Sequence, residues 1–188
     1  MELLRPNLEM LADYVDALER GWSFDNVRGA EGARDDLEAI RQDAGRFVDS
    51  LYDPDALGSP IAFPDGSKLP RLPGYRLWMW DGEFCGSIGL RWQPGTSELP
   101  AYVLGHIGYG VVPWKQRRGY ATRGLALALD HARAEGLEYV ELTTDPANVA
   151  SQKVMLANGA VFVERFTKTD HHGGGDSLRY RIDLRPQA

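Results

Sequence analysis

The run Val111-Val112-Pro113-Trp114-Lys115-Gln116-Arg117-Arg118-Gly119-Tyr120-Ala121-Thr122 constrains this chain more than any other segment. An apolar, strand-like stretch ends in it, a glycine turns the backbone, and a helix begins. Such a turn lets several backbone N–H groups converge on one point, and the helix start adds a partial positive charge. Together they make a seat for a pyrophosphate. The spacing is neither the dinucleotide fingerprint nor a P-loop, which needs Gly-Lys followed by Ser or Thr.

The neighbourhood extends the pattern. Gly105 to Val112 reads as a strand, with Ile107, Tyr109 and Val111 alternating against small residues. Ala121, Leu125, Ala128 and Ala132 recur at helical spacing, and Gly136 supplies a stop. Tyr139 to Thr144 reads as a second strand. Asp145-Pro146 then turns the chain, and Asn148 suits the N-cap of a short helix ending at Asn158-Gly159.

Val-x-Pro followed by Gln-x-x-Gly-x-Ala resembles the acyl-CoA-binding turn of the GNAT superfamily of N-acetyltransferases. Gln116, Gly119 and Ala121 fill the signature places. The superfamily's second pattern is Asn-x-x-Ser/Ala ahead of Gly-Phe. Asn148, Ser151 and Gly159 match it, and Ala160 stands where Phe is usual. The resemblance spans roughly residues 75 to 184. The string Gly105 to Val111, running into Arg118 to Thr122, looks especially like bacterial branches, including those that modify protein N-termini.

This resemblance implies an α+β (mixed α/β) fold: a central, twisted, mostly antiparallel sheet with flanking helices. In such a fold the strand before the turn and the strand after its helix lie parallel and splay apart, and the pantetheine arm enters the gap. It also implies acetyl-CoA as cosubstrate, with no metal. Val111 is then the source of the oxyanion N–H and pairs with pantetheine. Gln116, Arg117, Arg118, Gly119, Tyr120 and Ala121 hold the pyrophosphate, and Thr122 adds a hydroxyl. Asn148 bonds the pantetheine arm, and Ser151 lies near the sulfur.

Two departures from the family pattern bear on chemistry. Met155 occupies the place where many members carry a tyrosine that protonates the leaving thiolate. His106 occupies the place of a glutamate that serves some members as general base. An imidazole titrates near neutrality, so His106 is the candidate base, against the alternative of a satisfied structural polar group. Ser151 is either a proton relay or a cap. Tyr109 either lines the acceptor site or belongs to the core, and Trp114 either stacks on adenine or makes a surface contact.

The rest of the chain frames these motifs. At 188 residues a single domain is expected, with 1–74 as a helical and loop portion on the acceptor side and 75–184 as the sheet and acetyl-CoA core. Asn7 to Arg20 and Arg34 to Leu51 read as helices, Trp22 to Gly32 as a loop, and Tyr52 to Gly74 as irregular. Tyr75 to Trp80, Asp81-Gly82 and Glu83 to Trp92 read as a hairpin on a type I′ turn. Ala160 to Phe166 and Ser177 to Leu184 read as another, joined by a loop containing His171 and His172.

Residues 1–60 hold 14 acidic and 6 basic side chains, against 13 and 15 in the remainder. The acidic third either attracts a cationic acceptor or is simply a solvated surface. The overall charge of −6 argues against nonspecific nucleic-acid binding. Lys115, Arg117, Arg118 and Arg123 gather at the turn, where CoA phosphates would lie. No apolar run suits a membrane span and no signal peptide is visible. With Cys85 as the only cysteine, a reducing cytoplasm is expected. The expected activity is acetyl-CoA-dependent transfer to a primary amine of a small molecule or of a peptide or protein. A non-catalytic acyl-CoA-binding module and a transferase for another acyl group are the alternatives, and a homodimer is left open.

Overall fold

A computed structural model describes residues 1–62, 66 and 68–185. Its first sheet is antiparallel. β1 (Glu2–Leu4) and β2 (Tyr52–Asp53) both pair with β5 (Gly74–Trp80), which pairs with β6 (Phe84–Arg91), and β6 pairs with β7 (Ile107–Val111). A second antiparallel sheet has the order β8 (Tyr139–Thr144), β10 (Asp176–Asp183), β9 (Val161–Thr167). A small ribbon, β3 (Ile61–Ala62) with β4 (Lys68–Leu69), stands apart.

The helices cover the first sheet on both faces because its two inner strands carry large apolar residues on each side. Trp78, Phe84 and Val112 pack with Tyr14, Leu18 and Phe47 from the N-terminal helices and with Trp22 and Leu51 just beyond two of them. These helices are α1 (Leu11–Glu19), α2 (Ala30–Gln42) and α3 (Ala44–Ser50). Leu77, Met79, Ile88 and Leu90 pack on the other face with Leu125, Ala128 and Leu129 of α4 (Tyr120–Ala134). The same cluster takes in Val140 and Leu142 from β8 and Met155 from α5 (Val149–Ala157), and so joins the two sheets.

Four sequence expectations change: residues 1–74 are not helix and loop alone, since β1 and β2 join the first sheet and β3 and β4 form the ribbon. Arg34 to Leu51 is not one helix. Asp43 is extended (φ −160°) and its side chain accepts from Arg46 N–H, which ends α2 and caps α3. α2 also starts earlier than expected, at Ala30. The Asp81-Gly82 turn is a three-residue connection, since Trp80 pairs with Phe84 across an irregularity in register. Asp81 is thereby freed for another task.

Candidate acyl-CoA site at the splayed strands

β7 and β8 belong to different sheets, and they meet only at the base of β7. There His106 N–H donates to Glu141 O (2.7 Å) and Glu141 N–H donates to His106 Nδ1 (2.9 Å). Beyond this double bond the strands diverge. The space between them is a cavity of about 870 Å³ lined by Ile107 to Val111 on one side and Thr143 and Thr144 on the other.

The polarity of β7 follows from its partner. Arg91 N–H donates to His106 O, and Val112 N–H donates to Cys85 O. Peptide groups alternate direction along an antiparallel pair, so those of Tyr109 and Val111 face away from β6 and toward the gap. Gln116 Nε2 occupies the Val111 carbonyl at 3.3 Å and ties the turn to the strand. Gly86 makes the close approach of β6 and β7 feasible here. A Cβ on it would lie 2.1 Å from Gly110 O and 2.8 Å from Val111 Cα.

At the far end of the cavity the chain turns into α4. Arg117 (φ 61°) and Gly119 (φ 77°) both take left-handed backbone. Gly119 caps α4 with no side-chain bond, and the first intrahelical bond runs from Arg123 N–H to Gly119 O. The N–H groups of Tyr120, Ala121 and Thr122 precede that bond and point out of the helix start. All three residues line the cavity, with Gln116, Arg117 and Gly119.

The basic cluster of the sequence divides in the structure. Lys115 is buried, and its Nζ bonds Asp81 (2.6 Å) and Glu83 (3.0 Å) of the β5–β6 turn. Burial works to lower the Lys115 pKa, but these two carboxylates outweigh it and hold the ammonium charged. Asp81 also accepts from the Tyr120 hydroxyl. Burial would raise the Asp81 pKa, yet Lys115 and Tyr120 bring it well below the usual carboxylate range. Lys115 is thus a strut of the turn. Arg118 is exposed and absent from the cavity lining, so Arg117 is the turn arginine that faces the gap. Trp114 lies under the Arg20 guanidinium, 3.4 Å from its carbon to the ring centroid, so one ring face is already covered.

On the opposite wall, Asn148 caps α5 by accepting from Ser151 N–H (3.0 Å). Ser151 Oγ lies 2.9 Å from the Tyr109 hydroxyl, so a pair of hydroxyls bridges β7 and α5 across the gap. Burial pushes the Tyr109 phenol up to about 12, against an opposing bond from Ser151. Met155 lines the cavity beside them and is 1% exposed. The sequence offered Tyr109 as acceptor wall or core; only the fold brings it to Ser151.

His106 is not in the cavity lining. It is fully buried, Nδ1 is engaged by Glu141, and Nε2 has no hydrogen-bond partner among the described residues. Burial lowers its pKa from 6.5 to about 4. A general base needs a free nitrogen within reach of the acceptor, and His106 presents none to the gap. The geometry makes it a rivet between the sheets. Cys85 is buried too, and its thiol is pushed up to about 11, chiefly by burial, which disfavours the nucleophilic thiolate. Lys168 and His172 line the cavity from the β9–β10 connection, which sequence spacing could not place.

A family model described as an acetyltransferase (GNAT) domain matches residues 33–161. No curated protein matches the chain significantly. Among solved structures it is similar to the microcin C7 self-immunity acetyltransferase MccE in complex with acetyl-CoA and AMP, at 12% identity and TM-score 0.63, over 96% of this chain and 91% of that one. It is similar to a spermidine N-acetyltransferase SpeG chimera from Vibrio cholerae and hSSAT, at 13% identity and TM-score 0.57, over 98% and 97%. It is also similar to Mycobacterium smegmatis RimJ in complex with CoA-disulfide, at 18% identity and TM-score 0.57, over 96% and 80%. At these identities the solved structures share the fold, and the family match adds the class of enzyme. The chain belongs to the GNAT acetyltransferase family and is an N-acetyltransferase.

Proposed function

We propose that the protein transfers the acetyl group of acetyl-CoA to the amine of a small molecule. The observation that carries this reading is the cavity between β7 and β8. Outward backbone N–H groups lie at one end of it, from Tyr120 to Thr122, and the outward peptide of Val111 lies along its wall. The first set suits a pyrophosphate at a helix N-terminus. Arg117 and Lys168 on the lining add positive charge for the remaining phosphate. Two of the similar structures hold acetyl-CoA or a CoA disulfide, which agrees with this use of the fold. A buried free thiol and the lack of any described helix able to cross a membrane suit a reducing cytoplasm.

In this reading the neutral amine attacks the thioester carbonyl and forms a C–N bond. Negative charge develops on the carbonyl oxygen, where the Val111 N–H donates to it. Collapse breaks the C–S bond; the nitrogen loses a proton and the sulfur gains one. The Tyr109–Ser151 hydroxyl pair supports the leaving thiolate. Tyr109, with its pKa raised to about 12, is a poor acid for a full transfer, so the pair acts by hydrogen bonding and by relaying a proton. Deprotonation of the amine passes through solvent in the open cavity, since His106 is sealed away.

The test is release of free CoA thiol from acetyl-CoA in the presence of an amine panel, with the acetylated amine identified by mass. Amine-dependent release is expected. Tight CoA binding with no release for any amine would instead favour a non-catalytic acyl-CoA-binding module. Faster release from another acyl-CoA would reassign the donor.

A further inference from the structure

A second cleft of about 550 Å³ opens beside the splayed strands, on the face covered by the N-terminal helices. Val27 and His172 line both spaces, so the two are neighbours. The charges in this cleft are unlike those of the chain as a whole. Its described lining carries Arg28, Arg71, Arg76 and Arg91 against Asp25 and Asp53, in a protein of net charge −6.

Both carboxylates are already engaged. Asp25 accepts from the N–H groups of Val27 and Arg28 and from the Arg28 guanidinium. Asp53 accepts from the N–H groups of Leu57 and Gly58. Arg76 has the Tyr14 hydroxyl at 3.3 Å and Asp36 at 3.7 Å, and it stacks on Phe24. Arg91 differs. It is solvent-accessible, and among the described residues nothing pairs with its charge. An exposed guanidinium with no protein partner keeps its N–H donors free for a ligand. Its Nη2 lies 3.8 Å from where a Cβ on Gly108 would be, so it reaches over the glycine face of β7, the strand that carries the Val111 N–H. Phe24 covers the same face at Gly89 and Gly108.

We infer that Arg91, backed by Arg76, receives an anionic group on the acceptor, and that the acceptor is a small amine bearing a carboxylate or a phosphate. This rests on the amine-acetylation reading and names the substrate class within it. The planar guanidinium matches either oxyanion through paired N–H donors. An anion held there leaves the amine free to extend past Val27 and His172 into the gap. The volume is that of a small-molecule site. The acidic N-terminal residues do not make this a cation site, because Asp25 and Asp53 are satisfied by the protein itself.

The experiment compares matched amines with acetyl-CoA: phosphoethanolamine and β-alanine, the uncharged ethanolamine and propylamine, and the polycation spermidine. The wild type should show kcat/KM at least about 10-fold higher for an anionic amine than for its uncharged counterpart. The better of phosphoethanolamine and β-alanine identifies the oxyanion. Arg91→Gln should collapse that ratio toward one, Arg91→Lys should retain part of it, and the surface control Arg41→Gln should keep it whole. Thermal unfolding verifies that the variants fold. In parallel, calorimetry on the CoA-saturated protein reads phosphoethanolamine and β-alanine binding without turnover, and Arg91→Gln should weaken the bound one about 10-fold or more. A wild type that favours spermidine or the uncharged amines overturns the assignment, as does a ratio unchanged in Arg91→Gln. Anion binding lost in Arg91→Gln while no amine is acetylated would keep the site and refute the reaction. Turnover of uncharged amines without anion binding would keep the reaction and refute the site.

Discussion

In the proposed reaction, Tyr109 and Ser151 act at the gap as one hydrogen-bonded pair. The place where the family carries a tyrosine on the short helix holds Met155, so a proton donor from α5 is missing. A phenol arrives instead from β7, 2.9 Å from Ser151 Oγ. Groups that act through one hydrogen bond lose their effect together when either is removed. Tyr109→Phe and Ser151→Ala are each expected to lower kcat by roughly 10-fold, with the double variant no slower than about the worse single. CoA affinity should be nearly unchanged. Single-turnover rates and calorimetric Kd separate these effects, and a Tyr109→Phe enzyme running at wild-type rate would make the phenol a packing residue. The sequence carried both residues but not their contact, because a bond over 42 positions leaves no periodicity to read. Arg91 was invisible for the same reason. At the end of a strand-like run it reads as an ordinary surface arginine, and only the glycine face of β7 shows what it reaches.

At the scale of elements, the turn into α4 depends on the turn between β5 and β6. Asp81 accepts from both Lys115 and Tyr120, which stand on either side of the glycine. Asp81→Asn keeps the shape and removes the charge that holds Lys115. The loosened turn is expected to weaken CoA binding by roughly 10-fold, the worth of about one charge-assisted hydrogen bond. Gly119→Asp should act more strongly. In the ligand-free protein a Cβ there meets nothing within 4 Å, so the penalty is the left-handed φ and a carboxylate beside the phosphates rather than a clash. Calorimetry on folded variants checks both, and unchanged affinity in Gly119→Asp would remove the phosphate site from this turn. The strand, glycine turn and helix were legible because each local preference agreed with its neighbours. The clamp was not. Asp81-Gly82 carries the signature of a two-residue turn, while Asp81 binds across 34 positions to Lys115 and the chain takes one residue more to reach Phe84.

At the scale of the whole molecule, the two larger sheets open like a wedge, with His106 and Glu141 at its closed edge. Glu141 holds His106 through its backbone and Arg179 and Arg181 of β10 through its carboxylate, at 2.8 Å and 2.7 Å. Burial would raise the Glu141 pKa, but Arg181 and Arg179 outweigh it and keep the carboxylate ionised. The sequence marked His106 as chemically capable, and its position in the wedge explains why that capacity is suppressed. A histidine held neutral inside the fold and titrating at 6.5 outside it makes the unfolded chain bind more protons between those two pKa values. Stability is therefore full above pH 6.5 and falls as pH drops from 6.5 toward 4. Between pH 7 and pH 5 the expected loss from this one group is about 2 kcal/mol. Glu141 acts in the same direction at lower pH, since its depressed pKa gives stability that is lost on protonation. His106→Gln, which retains an acceptor for Glu141 N–H without titrating, should be less stable than wild type at pH 7 and should show a flatter decline from pH 7 to pH 5. Because His106 opens no path to the amine, the variant should also keep the shape of the kcat pH profile. Urea unfolding at the two pH values decides the first point and initial rates across the same range decide the second. Parallel pH slopes of stability in variant and wild type would dissolve the rivet, and a rate profile that loses a limb near neutrality would return His106 to the role of base.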